Sequence, residues 1–213
     1  MMNNIEIVTI KNRENLFKKI ASHISELAEN EIRNKNFFTI ALSGGSTPNP
    51  LYKILADSPY NKEIQWDKVH FFQVDERSVP INDNLRNLKS INDLLILPLH
   101  LDKANLHFFD DDLADTGSSS IKYENKINNF FSYNKIAGFD LTLLGIGEDG
   151  HTASIFPDDL KTVNETEKFV LPAFSKNANP PVKRVTITLP LINQSKFIYF
   201  IASGENKKKI IKK

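Results

Sequence analysis

The chain contains no cysteine. That absence excludes disulfides, thiolate nucleophiles and cysteine-ligated zinc together, and it fits a reducing compartment. An excess of charge of either sign is also missing. The 27 basic side chains stand against 26 acidic ones, leaving a formal net charge of +1, too little for a broad field that would attract nucleic acid. Long hydrophobic runs are absent too. The strongest apolar stretches, residues 94–101 and 197–202, fall well short of the ~20 residues that span a bilayer. The first six residues, MMNNIE, have no basic segment leading into an apolar one. What is present is 213 residues, 40% hydrophobic and 25% charged, enough to bury a core as one domain. The expectation is a single cytoplasmic globular domain over residues 1–213, monomeric or weakly dimeric, with neither membrane nor nucleic acid as a partner.

Hydrophobic periodicity switches repeatedly between two and three-to-four along the chain. Residues 5–10 alternate as a strand does, and Leu16, Ile20, Ile24 and Leu27 mark one face of a helix. Residues 37–42 form an apolar run that ends in SGGSTP, where Thr47 is expected to cap a helix opening at Pro48 and reaching about Ala56. Strands follow at 69–74, 106–109, 139–144, 168–173, 184–189 and 196–202, with helices at 84–97 and 121–131. Continuously apolar strands alternating with helices predict an α/β fold: a mostly parallel, Rossmann-like open sheet covered by helices on both faces. Residues 110–120, DDDLADTGSSS, read as a solvated loop, because the aspartates lack the spacing and glycine turn of a calcium loop. The basic end, residues 206–213, reads as one face of a terminal helix.

Three strand ends carry residues suited to chemistry. After the first apolar run, Gly44 and Gly45 permit a sharp turn with outward N–H groups, and Ser46 and Thr47 add hydroxyls at a helix start. Such a turn either holds an anion or serves the fold alone. No lysine follows at the spacing of a P-loop. After 139–144 comes GIGEDGHT, with three glycines in six positions framing His151 and with Asp149 two residues before it. A histidine at a strand's C-terminal end in an open α/β sheet sits where such folds bind ligands, and a neighbouring carboxylate orients an imidazole. The remaining histidines, His23, His70, His100 and His107, have no such frame and read as structural. The third segment is Asp75-Glu76-Arg77. It forms either a structural ion pair or a site in which Arg77 grips a phosphate or a developing oxyanion. Arg184 and Lys207 are further cations at element boundaries.

In order and spacing, SGGSTP, VDERSVP, FDLTLLGIGEDGHTASIFP and RVTITLP resemble the 6-phosphogluconolactonases, over about residues 35–207. The glucosamine-6-phosphate deaminases and isomerases share a DGH-type segment, but they carry a different acidic motif in place of DER and a different run after the histidine. The resemblance implies hydrolysis of 6-phosphoglucono-δ-lactone, a step of the oxidative pentose phosphate pathway, without metal or organic cofactor. It also implies roles: His151 as general base with Asp149 beside it, Arg77 near the reacting lactone, Asp75 lining the substrate site, and Arg184 and Lys207 around the 6-phosphate with Gly44, Gly45, Ser46 and Thr47. Two departures stand out. Arg86-Asn87 occupies a place where the family often has Ser-Asn. The family also usually continues beyond Gly-x-x-Lys, whereas this chain stops at Lys213 and is either naturally short or trimmed.

A δ-lactone is an activated ester, and the sequence has no cysteine and no G-x-S-x-G elbow. The expected mechanism is therefore direct attack by water. An imidazole with its reference pKa of about 6.5 is mostly neutral at pH 7 and able to accept the proton. The alternatives are a sugar-phosphate isomerase or deaminase on the same fold, in which Asp75 would abstract a proton beside a carbonyl, and a non-catalytic sugar-phosphate sensor. A sensor would be expected with a DNA-reading domain, and no helix-turn-helix pattern is visible.

Overall fold

The computed structural model describes residues 5–204 and 207–211. In chain order its elements are α1 (Arg13–Lys35), β1 (Phe38–Leu42), α2 (Asn49–Leu55), α3 (Tyr60–Glu63), β2 (Val69–Gln73), β3 (Asp75–Arg77), α4 (Asn87–Ile91), β4 (Leu106–His107) and α5 (Thr116–Asn134). They continue with β5 (Leu141–Gly145), α6 (Leu160–Val163), β6 (Val170–Ala173), β7 (Arg184–Ile187), α7 (Leu189–Asn193), β8 (Phe197–Ile201) and α8 (Lys208–Ile211). A single π turn, Asn92–Ile96, extends α4.

Five strands form a parallel sheet in the order β4-β2-β1-β5-β8. Numbered within this sheet alone the order is 3-2-1-4-5, so the winding direction reverses between β1 and β5. Loops leaving the C-terminal ends of those two strands diverge there and open a crevice. Alternating side chains explain why both faces are covered. Phe38, Ile40 and Leu42 of β1, with Val69 and Phe71 of β2, pack against α1 and α2. Ala41, Phe72, Val74 and Leu144 face α5, α7 and a second sheet. β1 is buried at all five positions, as a strand covered on both faces should be.

The second sheet is small and antiparallel, in the order β3-β7-β6, and it departs from the expected architecture. The chain passes from one sheet to the other at Val74, whose N–H donates to the Leu42 carbonyl while its carbonyl accepts from the Ile187 N–H. The charged residues 75–77 therefore continue as a strand on the second sheet.

Other expectations shift. Residues 5–10 form no strand, and Ile5 and Ile7 stay exposed. The buried face of α1 is Phe17, Ala21, Ile24, Leu27, Ala28 and Ile32, one position round from the expected stripe at its start. Pro48, not Thr47, stands at the N-cap of α2, and no side chain caps it. The 110–120 segment is only partly loop: Asp115 accepts from the N–H groups of Gly117 and Ser118 and caps α5, which starts at Thr116. Asp110 faces Lys126 and Lys122 in ion pairs. Of the basic end, Lys208–Ile211 is helical, while residues 206, 212 and 213 lie outside the described residues.

A buried carboxylate ties the start of the sheet together. Asp140 is 1% exposed and accepts from Lys35 Nζ at 2.7 Å, from the Thr39 N–H and from the Thr39 hydroxyl. Lys196 Nζ lies 3.1 Å away. Burial alone would raise the Asp140 pKa, but the lysine and Thr39 hydrogen bonds outweigh it and hold the group below its ordinary value. No helix among the described residues is long and apolar enough to cross a membrane.

Candidate active site

The crevice between β1 and β5 is walled by the two glycine loops. At the end of β1 the Ser43 hydroxyl donates across to the Leu143 carbonyl at 2.6 Å, and the Tyr52 hydroxyl donates to the Ser43 carbonyl. These bonds fix where the turn begins. Gly45 then takes φ +89°, a conformation that side chains other than glycine rarely adopt. Gly44 is required for another reason: a Cβ there would lie 2.0 Å from Asn87 Oδ1.

At the end of β5, Asp149 Oδ1 lies 2.6 Å from His151 Nδ1 and also accepts from the His151 N–H. Gly147 closes the loop by donating its N–H to the His151 carbonyl at 2.7 Å. The imidazole lies so close to Gly147 that a Cβ there would be 2.2 Å from Nδ1 and 2.4 Å from Asp149 Oδ1. Burial works to raise the Asp149 pKa, but the hydrogen bonds from the His151 N–H and ring hold it below the usual carboxylate value. The carboxylate thus accepts at Nδ1, leaving Nε2 as the ring nitrogen that carries the lone pair. The ring also leans on the fully buried Phe156, with centroids 4.7 Å apart.

Phe156 also meets Arg184, whose guanidinium carbon is 5.3 Å from the ring centre. Arg184 is 3% exposed and lies directly opposite Arg77 in the β3–β7 register. Like charges facing each other across strands repel, and burial, with Arg77 adding to it, pulls the Arg184 pKa down. Asp75 works the other way. Its Oδ2 is 3.9 Å from Arg184 Nη1 and accepts from the Ser154 hydroxyl at 2.5 Å, while Asn87 Nδ2 donates to its Oδ1 and carbonyl. Glu76 is structural: it accepts from the N–H groups of Arg77, Asn87 and Leu88 and from Gln73 Nε2. Arg77 Nη1 donates to the Leu85 carbonyl. Arg86 donates to the carbonyls of Arg77 and Asp111. Arg77 Nε, Arg184 Nε and Asn87 Oδ1 are buried without a protein partner, which at one location points to a polar ligand or ordered water.

Beside the His151 loop lies a polar cavity of about 420 Å³, lined by Arg13, Ser46, Thr47, Glu148, Ser203, Gly204 and Lys207. Its hydroxyls and cations suit an anion. Among the described residues no three His, Asp or Glu side chains come together as a metal site would require.

A family model described as glucosamine-6-phosphate isomerases/6-phosphogluconolactonase matches residues 11–213. The chain belongs to this family.

Within the glucosamine-6-phosphate isomerase/6-phosphogluconolactonase family, a probable chloroplastic 6-phosphogluconolactonase 3 of rice is 34% identical over 203 residues, covering 91% of this chain and 61% of the relative. The chain therefore spans less than two thirds of the length of that plant protein. The 6-phosphogluconolactonase of Thermotoga maritima is 33% identical over 190 residues, 89% of this chain and 78% of its own. Its crystal structure superposes with a TM-score of 0.80, covering 92% of this chain and 84% of that one. A 6-phosphogluconolactonase from Trypanosoma cruzi gives a TM-score of 0.87 at 28% identity, covering 99% and 84%.

In this family member the residues singled out from the sequence fall into three groups. His151 and Asp149 pair directly, and Asp75, Arg77 and Arg184 are brought together by the β3–β7 pairing. Ser46, Thr47 and Lys207 line the polar cavity, while Arg184 bonds to Asp75's cluster and to the Pro180 carbonyl. Sequence reasoning missed Ser154, Phe156 and Arg13. The first two stand within the HTASIFP run, where they read as motif without an assigned role. Arg13 is a lone cation at a helix start and gives no local signal.

Proposed function

We propose that the chain hydrolyses 6-phospho-D-glucono-1,5-lactone to 6-phosphogluconate, a step of the oxidative pentose phosphate pathway, with His151 as general base. The observation that carries this is the Asp149–His151 pair, set at the strand-order reversal and beside a cation-lined cavity. His151 Nε2 takes a proton from water as the hydroxyl oxygen adds to the lactone carbonyl. The C1–ring oxygen bond then breaks, and His151 returns the proton to the departing oxygen. Ionisation of the acid product releases one proton to solvent. Arg77, together with backbone N–H groups, faces the developing oxyanion. One donor of this kind is worth about 3–4 kcal/mol in such sites. Ser46, Thr47 and Lys207 hold the phosphate and thereby orient the sugar.

Asp75 favours this reading over an isomerase. Its carboxylate is occupied by Ser154, Asn87 and Arg184, which suits a structural or orienting role better than abstraction of a carbon-bound proton.

The test is lactone hydrolysis with substrate generated in situ, corrected for spontaneous decay. Wild type should accelerate the reaction and His151→Ala should lose that acceleration with little change in KM. No acceleration by folded wild type would refute the activity. Undiminished turnover by His151→Ala would refute the base.

A further inference from the structure

Arg13 opens α1 and is exposed, yet it lines the same cavity as Ser46, Thr47 and Lys207. Its position runs against the helix dipole, which disfavours cations in the first turn. The Asn12 side chain caps α1 by accepting from the Asn15 N–H, so the helix start is fixed. The Arg13 guanidinium carbon lies 5.6 Å over the ring of Phe17, one turn on, and Phe17 is fully buried in the core. The cation is thus held by a rigid aromatic platform.

Charge on the cavity wall gives the second argument. Glu148 lines the cavity opposite in sign to Lys207. Among the described lining residues the charges of these two are opposite and equal. Arg13 adds a second cation to this described lining. A guanidinium also offers a planar fork that matches two phosphate oxygens at once, which an ammonium does not.

We infer that Arg13 is a phosphate ligand of this cavity and sets the preference for phosphorylated over unphosphorylated lactones. The identity of the substrate rests on the lactonase reading above, whereas the anion site itself is testable without it. Arg13→Gln, Arg13→Lys and, as a control for loss of one charge from the same helix, the exposed Lys19→Gln are compared with wild type. Titration calorimetry with inorganic phosphate at low ionic strength is the first measurement. Arg13→Gln should weaken phosphate binding about tenfold, the loss of one charge-assisted contact. Arg13→Lys should restore part of it, and Lys19→Gln should bind as wild type does. The second measurement is the ratio of kcat/KM for 6-phosphogluconolactone to that for unphosphorylated gluconolactone, which should fall about tenfold in Arg13→Gln through KM.

Equal phosphate binding by wild type and Arg13→Gln would overturn the assignment, and so would no phosphate binding by wild type. Weakened phosphate binding in Arg13→Gln, found with a wild type that does not hydrolyse the lactone, would support Arg13 and reject the lactonase reading separately.

Discussion

Gly147→Ala isolates the Asp149–His151 pair from the stability of the fold. The added methyl carbon would stand 2.2 Å from His151 Nδ1 and 2.4 Å from Asp149 Oδ1. Non-bonded carbon contacts settle near 3.5 Å, so both groups must retreat by about 1 Å. They are joined at 2.6 Å, and a single methyl wedged against both pushes the imidazole off its position. Misplacement of a reacting group by about 1 Å costs on the order of 10²-fold in rate, or about 2.7 kcal/mol of barrier. Gly147 does not have positive φ, so alanine adds no backbone strain, and the half-exposed loop limits the stability change to about 1 kcal/mol. Proton release during lactone hydrolysis gives kcat and KM, thermal unfolding gives stability, and imidazole nitrogen NMR reports the ring's environment. Gly145→Ala is the contrast, since its Cβ would meet no atom within 4 Å and its imidazole signals should match wild type. A Gly147→Ala enzyme with kcat within about threefold of wild type would refute the reasoning, because it would mean that the ring position does not set the rate.

Asp140→Asn should destabilise the fold by about 2 kcal/mol, because it removes the buried carboxylate that shares Lys35 and Lys196 with Glu31; urea denaturation reads this as a lower midpoint. His70 Nδ1 and His107 Nε2 lie 3.1 Å apart among Phe37, Phe72 and Phe130, and burial, then the charges of His70 and Lys126, lower His107 to about 4. Its folded-state pKa lies below the unfolded one, so its stabilising share is complete above about pH 6.5 and drains away as pH falls toward 4. Discounted for the ring's partial exposure the loss is about 1–2 kcal/mol. Thermal unfolding from pH 7 to 5 should show the drop, and His107→Phe should flatten it. Arg86→Ser should cost about 1–3 kcal/mol by stripping the carbonyls of Arg77 and Asp111 of a buried donor; an unchanged unfolding midpoint would count against that clamp.

The parallel sheet was legible because its strands are continuously apolar and end in glycine loops, and these loops also exposed Gly44, Gly45, Asp149 and His151. The second sheet was not. β3 is three residues long and wholly charged, so it carries neither alternation nor an apolar run, and only its pairing with β7 makes it a strand. Residues 5–10 show the converse. IEIVTI alternates well, but alternation records only which faces differ, and no strand pairs with it. Arg184 read as a boundary cation, and its cross-strand register with Arg77 was invisible without the antiparallel pairing. Thr47 read as a cap because capping residues favour that place, yet two prolines flanking Asn49 start α2 without a side-chain cap.

The two backbone hydrogen bonds of Val74 join the two sheets directly. A residue that donates to one sheet and accepts from the other leaves no linker between them, so parting them there costs at least one buried backbone hydrogen bond. Hydrogen exchange at the Val74 and Ile187 amides should therefore proceed only through global opening, among the slowest in the chain. Ile210 of α8 lies against Gly150, so this short helix rests on the His151 loop and ties the end of the described chain to the site.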